Sequence, residues 1–274
     1  MNRIFLLLAF LCLGAGRMSA QSYDEWINRG MDAIEASRLI EAEDCFKKAL
    51  KLEPSHLKNA LVLANLGTVQ RRLDKKKEAL ASYTFSLNYT PYSIPVLLDR
   101  ASLYLEMDLL DKAYTDYCQV IDLEQKNQEA LQFRAYIYMR RRQYQEARLD
   151  YQALLEVSPK NVTARIGMAM VLQKEHKYEA SLEALNRLVV DYPNDASYLK
   201  ARAYLEVEMN RLDMALLDLE SAVKLTPNDA EIYVLSGQIY LEQGKKREAY
   251  VAFEKAIELG VPRPELQDLL KASK

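Results

Sequence analysis

Residues 162–195 read VTARIGMAMVLQKEHKYEASLEALNRLVVDYPND, and residues 196–229 read ASYLKARAYLEVEMNRLDMALLDLESAVKLTPND. Laid one over the other, the two stretches agree where packing is decided. Ala169 and Ala203 stand eighth, Ser181 and Ala215 twentieth, Leu185 and Leu219 twenty-fourth, and Pro193 and Pro227 thirty-second. A proline stops a helix because it lacks the N–H that the next turn needs. The apolar spacing on either side of the fifteenth position is helical. One period is therefore a helix, a turn and a second helix.

Working outward, Pro54, Pro91 and Pro159 carry the same register, and the repeats become 23–56, 60–93, 94–127, 128–161, 162–195, 196–229 and 230–263. Position 8 is small throughout: Gly30, Gly67, Ala101, Ala135, Ala169, Ala203 and Gly237. Position 20 is Ala42, Ala79, Ala113, Ala147, Ser181, Ala215 and Ala249, while position 24 is large: Phe46, Tyr83, Tyr117, Tyr151, Leu185, Leu219 and Phe253. Large residues fill the space that small ones leave. Ser22, Ser93, Asn127, Asn161, Asp195 and Asp229 precede repeats, and their side-chain oxygens suit a helix N-cap. Ser22 with Glu25 reads as a capping box. Asp74, Asp108, His176, Asn210 and Gly244 occupy position 15, where a turn calls for left-handed backbone.

This pattern resembles the tetratricopeptide repeat, whose W-x2-L-G-x2-Y, A-x3-F and P signature is met by Trp26, Gly30, Ala42, Phe46 and Pro54. The resemblance implies an all-α, right-handed superhelical solenoid of about seven helix pairs, closed by a capping helix over about 264–273 carrying Leu266, Leu269 and Leu270. Gln125 and Val261 stand in place of the proline, and 37 residues separate the first two repeat starts. Three extra residues are nearly one helical turn, so the second repeat is expected to begin early, near Ser55 or His56.

Arg100, Arg134 and Arg202 at position 7 fall in the same repeats as Asp116, Asp150 and Asp218 at position 23. Each set predicts an ion pair between first and second helix. The second, fifth and seventh repeats have neither residue, and Arg29 faces Cys45 in the first.

The chain is 50% apolar, poor in glycine and proline, and of net charge −2, which describes a mostly helical array with one continuous core over 21–274. Residues 1–20 differ: Arg3, an apolar run from Ile4 to Leu13, then small residues to Ala20 read as a cleaved signal peptide, too short to span a membrane. No transmembrane segment is expected after cleavage. Its style predicts export to a bacterial periplasm or cell envelope. Removing Arg3 and Arg17 takes the charge to −4, which gives no pull toward nucleic acid. Cys45 and Cys118 lie two repeats apart, beyond disulfide reach, and read as small hydrophobes.

Catalysis finds no motif. His56 and His176 sit at turns outside any metal-ligand spacing, and no nucleophile elbow or phosphate loop is present. Neither catalytic residue, metal nor cofactor is expected, and the chain is read as non-enzymatic.

Family resemblance places binding on the concave face, at positions 2, 5, 9 and 12 of the first helices. The expected peptide-binding groove comprises Ile27, Met31, Leu98, Tyr136, Met139, Ile166, Met170, Lys200, Tyr204 and Gln238. Apolar area of this kind marks interaction surfaces. Alternatively, the superhelix closes and part of this face is core. Family members that clamp a peptide carboxylate need Lys and Asn together. Here Asn65 is the one match, and Ile27, Met31, Pro95 and Asp99 do not complete it. The turns at positions 12 to 18 carry fifteen Lys or Arg against ten Asp or Glu, a basic rim that suits weak contact with an anionic envelope surface or an acidic partner. The expected function is a scaffold or adaptor binding a protein segment in the cell envelope. The alternatives are a carbohydrate- or surface-polymer-handling accessory, and a non-catalytic subunit that positions an enzyme.

Overall fold

A computed structural model describes residues 22–274; the leader reading at 1–20 lies outside them. The chain divides into two compact units, Met1–Met107 and Asp108–Lys274. Among the described residues there are helices and no strands. The first unit holds α1 (Tyr23–Glu35), α2 (Leu39–Leu52), α3 (Asn59–Arg72), α4 (Lys76–Tyr89) and α5 (Ile94–Glu106). The second holds α6 (Leu110–Leu123), α7 (Gln128–Arg140), α8 (Tyr144–Val157), α9 (Val162–Lys174), α10 (Tyr178–Asp191), α11 (Ala196–Glu208), α12 (Leu212–Leu225), α13 (Ala230–Glu242), α14 (Lys246–Glu258), a 3₁₀ turn (Arg263–Leu266) and α15 (Gln267–Ala272). Within each unit every helix packs on its successor, and first helices also touch, α3 on α5 and α7 on α9. That is the packing of a tetratricopeptide-type solenoid.

The small–large rule explains the pairing. Every residue at positions 8, 20 and 24 is buried. A Cβ on Gly30 would stand 2.6 Å from the Phe46 ring, on Gly67 2.7 Å from Tyr83, and on Gly237 2.5 Å from Phe253. Those helices approach at a distance only glycine permits. Where position 8 is alanine in the fifth and sixth repeats, position 24 is leucine, which leaves room for the methyl. A further close approach joins successive repeats: a Cβ on Gly167 of α9 would meet the Tyr151 ring of α8 at 2.4 Å.

All seven position-15 residues adopt positive φ, between 56° and 72°, and they include Ser37 and Arg142, which have no preference for it. Ser22 and Glu25 form the predicted capping box, and Asn127, Asn161, Asp195 and Asp229 each accept a backbone N–H. Ser93 makes no such bond. Pro95 takes the second helical position there and has no N–H to offer.

The early start expected for the second repeat is corrected. α3 begins at Asn59, and residues 54–58 form turns instead. Asn59 explains this, since its Nδ2 donates to the Glu53 carbonyl (2.8 Å) and its Oδ1 accepts from the Tyr23 hydroxyl (2.8 Å). His56 stacks on the Tyr23 ring at 4.4 Å. The extra residues are spent on that plug.

At the C-terminus, Leu266 and Leu270 join Ala249, Phe253 and Ala256 in one buried cluster, with Leu269 packed against it. The cap covers the apolar end of α14, as a terminal repeat requires.

Candidate functional site

The first-helix face splits by depth. At position 9, Met31, Tyr136, Met170 and Tyr204 are 39–48% exposed, so the face is open there. Gln238 is also exposed. Position 5 is half-buried: Ile27 and Ile166 pack against core clusters of their own units, and Leu98 and Lys200 are likewise partly covered. Met139 at position 12 is half-buried too. Position 9 is thus exposed on α1, α7, α9, α11 and α13 above a half-buried position 5, whereas Thr68 on α3 and Ser102 on α5 are themselves half-buried.

In the first unit, Asn65 Nδ2 lies 3.5 Å from Met31 Sδ, and Arg71 donates to Glu106 Oε1 from Nε (2.9 Å) and Nη2 (2.5 Å). In the second unit, Arg140 Nη1 donates to the Tyr136 hydroxyl at 2.8 Å, which fixes one end of that ring. Lys200, Tyr204 and Glu231 form a closed group: Lys200 Nζ reaches Glu231 Oε2 at 2.6 Å and Asp229 Oδ2 at 2.8 Å, while the Tyr204 hydroxyl donates to Glu231 Oε1 at 2.7 Å. The bonds from Lys200 and Tyr204 hold the Glu231 carboxyl below its usual range. Burial, and then the bond to Glu231, pushes the Tyr204 hydroxyl up to about 12. Glu231, at position 2 of the same face, was not among the expected groove residues, and Asp229 was expected only as a helix N-cap.

Two of the predicted Arg–Asp pairs form as bidentate bonds: Arg134 to Asp150 (2.8 and 2.7 Å) and Arg202 to Asp218 (2.6 Å each). Arg100 and Asp116 belong to different units. Each arginine also reaches position 25 of the preceding repeat. Arg134 Nη1 lies 3.6 Å from Cys118 Sγ, Arg202 Nη1 donates to Asn186 Oδ1 at 2.8 Å, and Arg100 Nη1 to Thr84 Oγ1 at 3.4 Å. The described cysteines are free thiols, Cys45 buried and Cys118 partly so.

Two buried carboxylates escaped the sequence reading. Glu43 bonds Lys47 (2.7 Å), Lys75 (2.5 Å) and Gln70 (3.3 Å), and these donors overcome burial to hold it at about 2. Glu206 has the opposite fate: burial and the neighbouring Asp218 push it up to about 7, and its Oε2 has no partner. Four of the rim cations are engaged, Arg140 with Asp108, Arg141 with Asp111, Arg71 with Glu106 and Lys75 with Glu43. Among the described residues no group of His, Cys, Asp and Glu is arranged to hold a metal, and no helix is long and apolar enough to cross a membrane.

Tetratricopeptide repeat family models match residues 138–205, and 94–127 with 230–259. A tetratricopeptide repeat protein from Parabacteroides merdae ATCC 43184 is 35% identical, with a TM-score of 0.72 over 93% of this chain and 99% of that one. The chain belongs to the tetratricopeptide repeat family. PilF of Pseudomonas aeruginosa shares the fold at 18% identity and a TM-score of 0.61, covering 80% of this chain and 97% of that one. YrrB, a tetratricopeptide repeat protein with an unusual peptide-binding site, does so at 20% identity and 0.54, covering 69% and 96%. Human DnaJ homolog subfamily C member 7 is 26% identical over 118 residues, 43% of this chain but 23% of that protein's length.

Proposed function

We propose that this chain is a non-enzymatic scaffold or adaptor that binds a segment of another protein along the exposed row of its first helices. The observation that carries the reading is the exposure of Tyr136, Met170 and Tyr204 at one repeat position of the second unit. A half-buried row at position 5 anchors the helices that carry these side chains, and tyrosine and methionine offer large contact area to a partner. YrrB, alike in fold alone, has a peptide-binding site. The leader reading adds the bacterial cell envelope as the place of action. Stacking of a sugar on Trp26 has less support, because Lys48 Nζ already sits 4.5 Å from its ring centre and Arg29 5.6 Å. Lipid contact through the rim has less support, because Arg71, Lys75, Arg140 and Arg141 are already paired with carboxylates.

The test is photocrosslinking in the intact organism from a photoreactive residue at Tyr136 or Met170, with Arg142 as control. The expected result is one discrete protein captured from both groove positions and not from Arg142. Capture from Arg142 alone, or equal capture from all three, overturns the reading. Fractionation tests the location: a mature chain beginning at Gln21 in the periplasmic fraction is expected, and a full-length cytoplasmic chain would sink it.

A further inference from the structure

In repeats four and six the arginine at position 7 fills the space between successive second helices. Arg134 lies 5.8 Å from the centre of the Tyr138 ring, at position 11, and Arg202 stands on the same face as Glu206, also at position 11. In the last repeat the corresponding residues are Ser236 at position 7 and Ala252 at position 23, so both halves of the ion pair are missing. A cleft of about 680 Å³ opens there between α12 and α14 over α13. Leu219, Val223 and Val251 wall it and Tyr233 and Tyr240 line it, with Glu220 and Glu248 at its edge. That volume falls within the roughly 300–1,000 Å³ typical of ligand sites.

The aspartate that forks the arginine elsewhere is replaced by Ala252, but two of the other groups around that guanidinium have counterparts here. Tyr240 takes the position of Tyr138, the ring beneath the Arg134 guanidinium. Glu220 takes position 25 of the preceding repeat, from which Asn186 accepts the Arg202 guanidinium. Here that position carries a full negative charge. Glu220 and Glu248 line the same cleft as Tyr240, and after burial they are the groups that raise its hydroxyl. Ser236 Oγ is spent on its own helix, donating to the Ile232 carbonyl at 2.9 Å, so the floor offers no competing polar group. Two cations also line the rim. Lys255 is bonded to Glu258 at 2.9 Å, Arg247 lines the cleft with the two carboxylates, and Lys245 Nζ stands 6.0 Å from the Tyr240 ring centre, a loose contact that an incoming guanidinium has to displace.

We infer that this cleft is a second docking site, independent of the first-helix row, that receives an arginine side chain from a partner protein. The guanidinium lies over Tyr240 and pairs with Glu220, and the aliphatic stem and its flanking residues cover Leu219, Val223 and Val251. Guanidinium suits this site better than ammonium because it stacks on a ring while bonding a carboxylate in its plane.

The probe is n-hexylguanidinium, compared with n-hexylammonium, n-hexanol and n-hexyl sulfate, with binding followed through the Tyr233 and Tyr240 ring resonances. The expected order places hexylguanidinium at least about tenfold tighter than hexanol, with hexyl sulfate weakest. Glu220→Gln, an exposed change that leaves the packing intact, should weaken hexylguanidinium about tenfold and leave hexanol unchanged. Ser236→Arg with Ala252→Asp rebuilds the pair of the sixth repeat and should abolish binding. Equal binding of hexanol and hexylguanidinium, or tighter binding of the sulfate, overturns the assignment of an arginine. Undiminished binding in both variants overturns the site.

Discussion

Arg202 holds Asp218 through two parallel hydrogen bonds, Nε to Oδ2 and Nη2 to Oδ1, each 2.6 Å long. The pair ties α11 to α12 inside one repeat, and the third guanidinium nitrogen reaches Asn186 on α10. One side chain thus joins three helices. Arg202→Ala leaves Asp218 largely buried beside Glu206 with no cation between them. A loss of about 3 kcal/mol is expected, read as a fall of several degrees in thermal midpoint. Arg202→Lys should recover less than half, because an ammonium cannot make the fork. An unchanged midpoint for the alanine variant would remove the pair from the account of stability.

Gly237→Ala sets a methyl against Phe253 at 2.5 Å and should cost about 1–3 kcal/mol through overpacking. Adding Phe253→Leu reproduces the Ala203–Leu219 combination of the sixth repeat. Chemical denaturation of the single and double variants checks this: the second change should restore part of what the first removed. Additive losses would show that the two sites are not one packing unit.

Arg142 pays a conformational cost at φ 59°, where a side chain crowds its own backbone. Arg142→Gly should stabilise the fold by about 1 kcal/mol, since the side chain is exposed and Gly244 serves the same turn position in the last repeat. Urea midpoints of the two proteins decide it, and a destabilised variant would show that the arginine makes contacts worth more than its strain.

Glu206 gives stability a slope near neutral pH. Its folded value of about 7 lies above the ordinary carboxyl value, so between the two the folded chain holds a proton that the unfolded chain has lost. Stability therefore falls as pH rises from about 4.5 through 7, and the penalty is complete above that. Glu206→Gln should stabilise by roughly 1–3 kcal/mol at pH 8 and change little at pH 4.5. The groups facing it are Asp218, Arg202 and Arg211. Glu43 acts with the opposite sign at a separate place: its stabilisation is present above about 4.5 and is lost as pH falls toward 2. A flat Glu206→Gln difference between pH 4.5 and 8 would show that the carboxyl titrates normally.

The register, the small–large pairing and the Arg–Asp pairs could be read from spacing because each depends on residues at fixed offsets within a repeat. What escaped depends on neighbours supplied by other elements. Ser37 and Arg142 are left-handed because the helix pair demands it, whatever the residue prefers. Glu43 is buried by Gln70 and Lys75 of the next repeat, and nothing in its own surroundings announces that. Asn59 looked like part of a helix beginning early, but its bonds to Tyr23 and Glu53 stop that helix. The last repeat's missing pair was visible as Ser236 and Ala252. Its consequence, an open cleft, needed the walls that α12 and α14 provide. On the candidate face, the exposure of position 9 on α7, α9, α11 and α13 and its partial burial at Thr68 and Ser102 follow from how deeply each first helix sits between its neighbours.

Gly167 takes the Tyr151 ring of the preceding repeat at a place where no other repeat carries glycine; the equivalent residues are Asn28, Asn65, Asp99, Phe133, Ala201 and Leu235. The repeats are therefore not interchangeable parts. A larger residue brought to this position by duplication or deletion of a repeat would require the Tyr151 ring to move aside, as Tyr117 does where it lies stacked on Phe133 at 5.7 Å. Whole-repeat growth or shortening at that junction therefore carries a repacking cost set by this one contact.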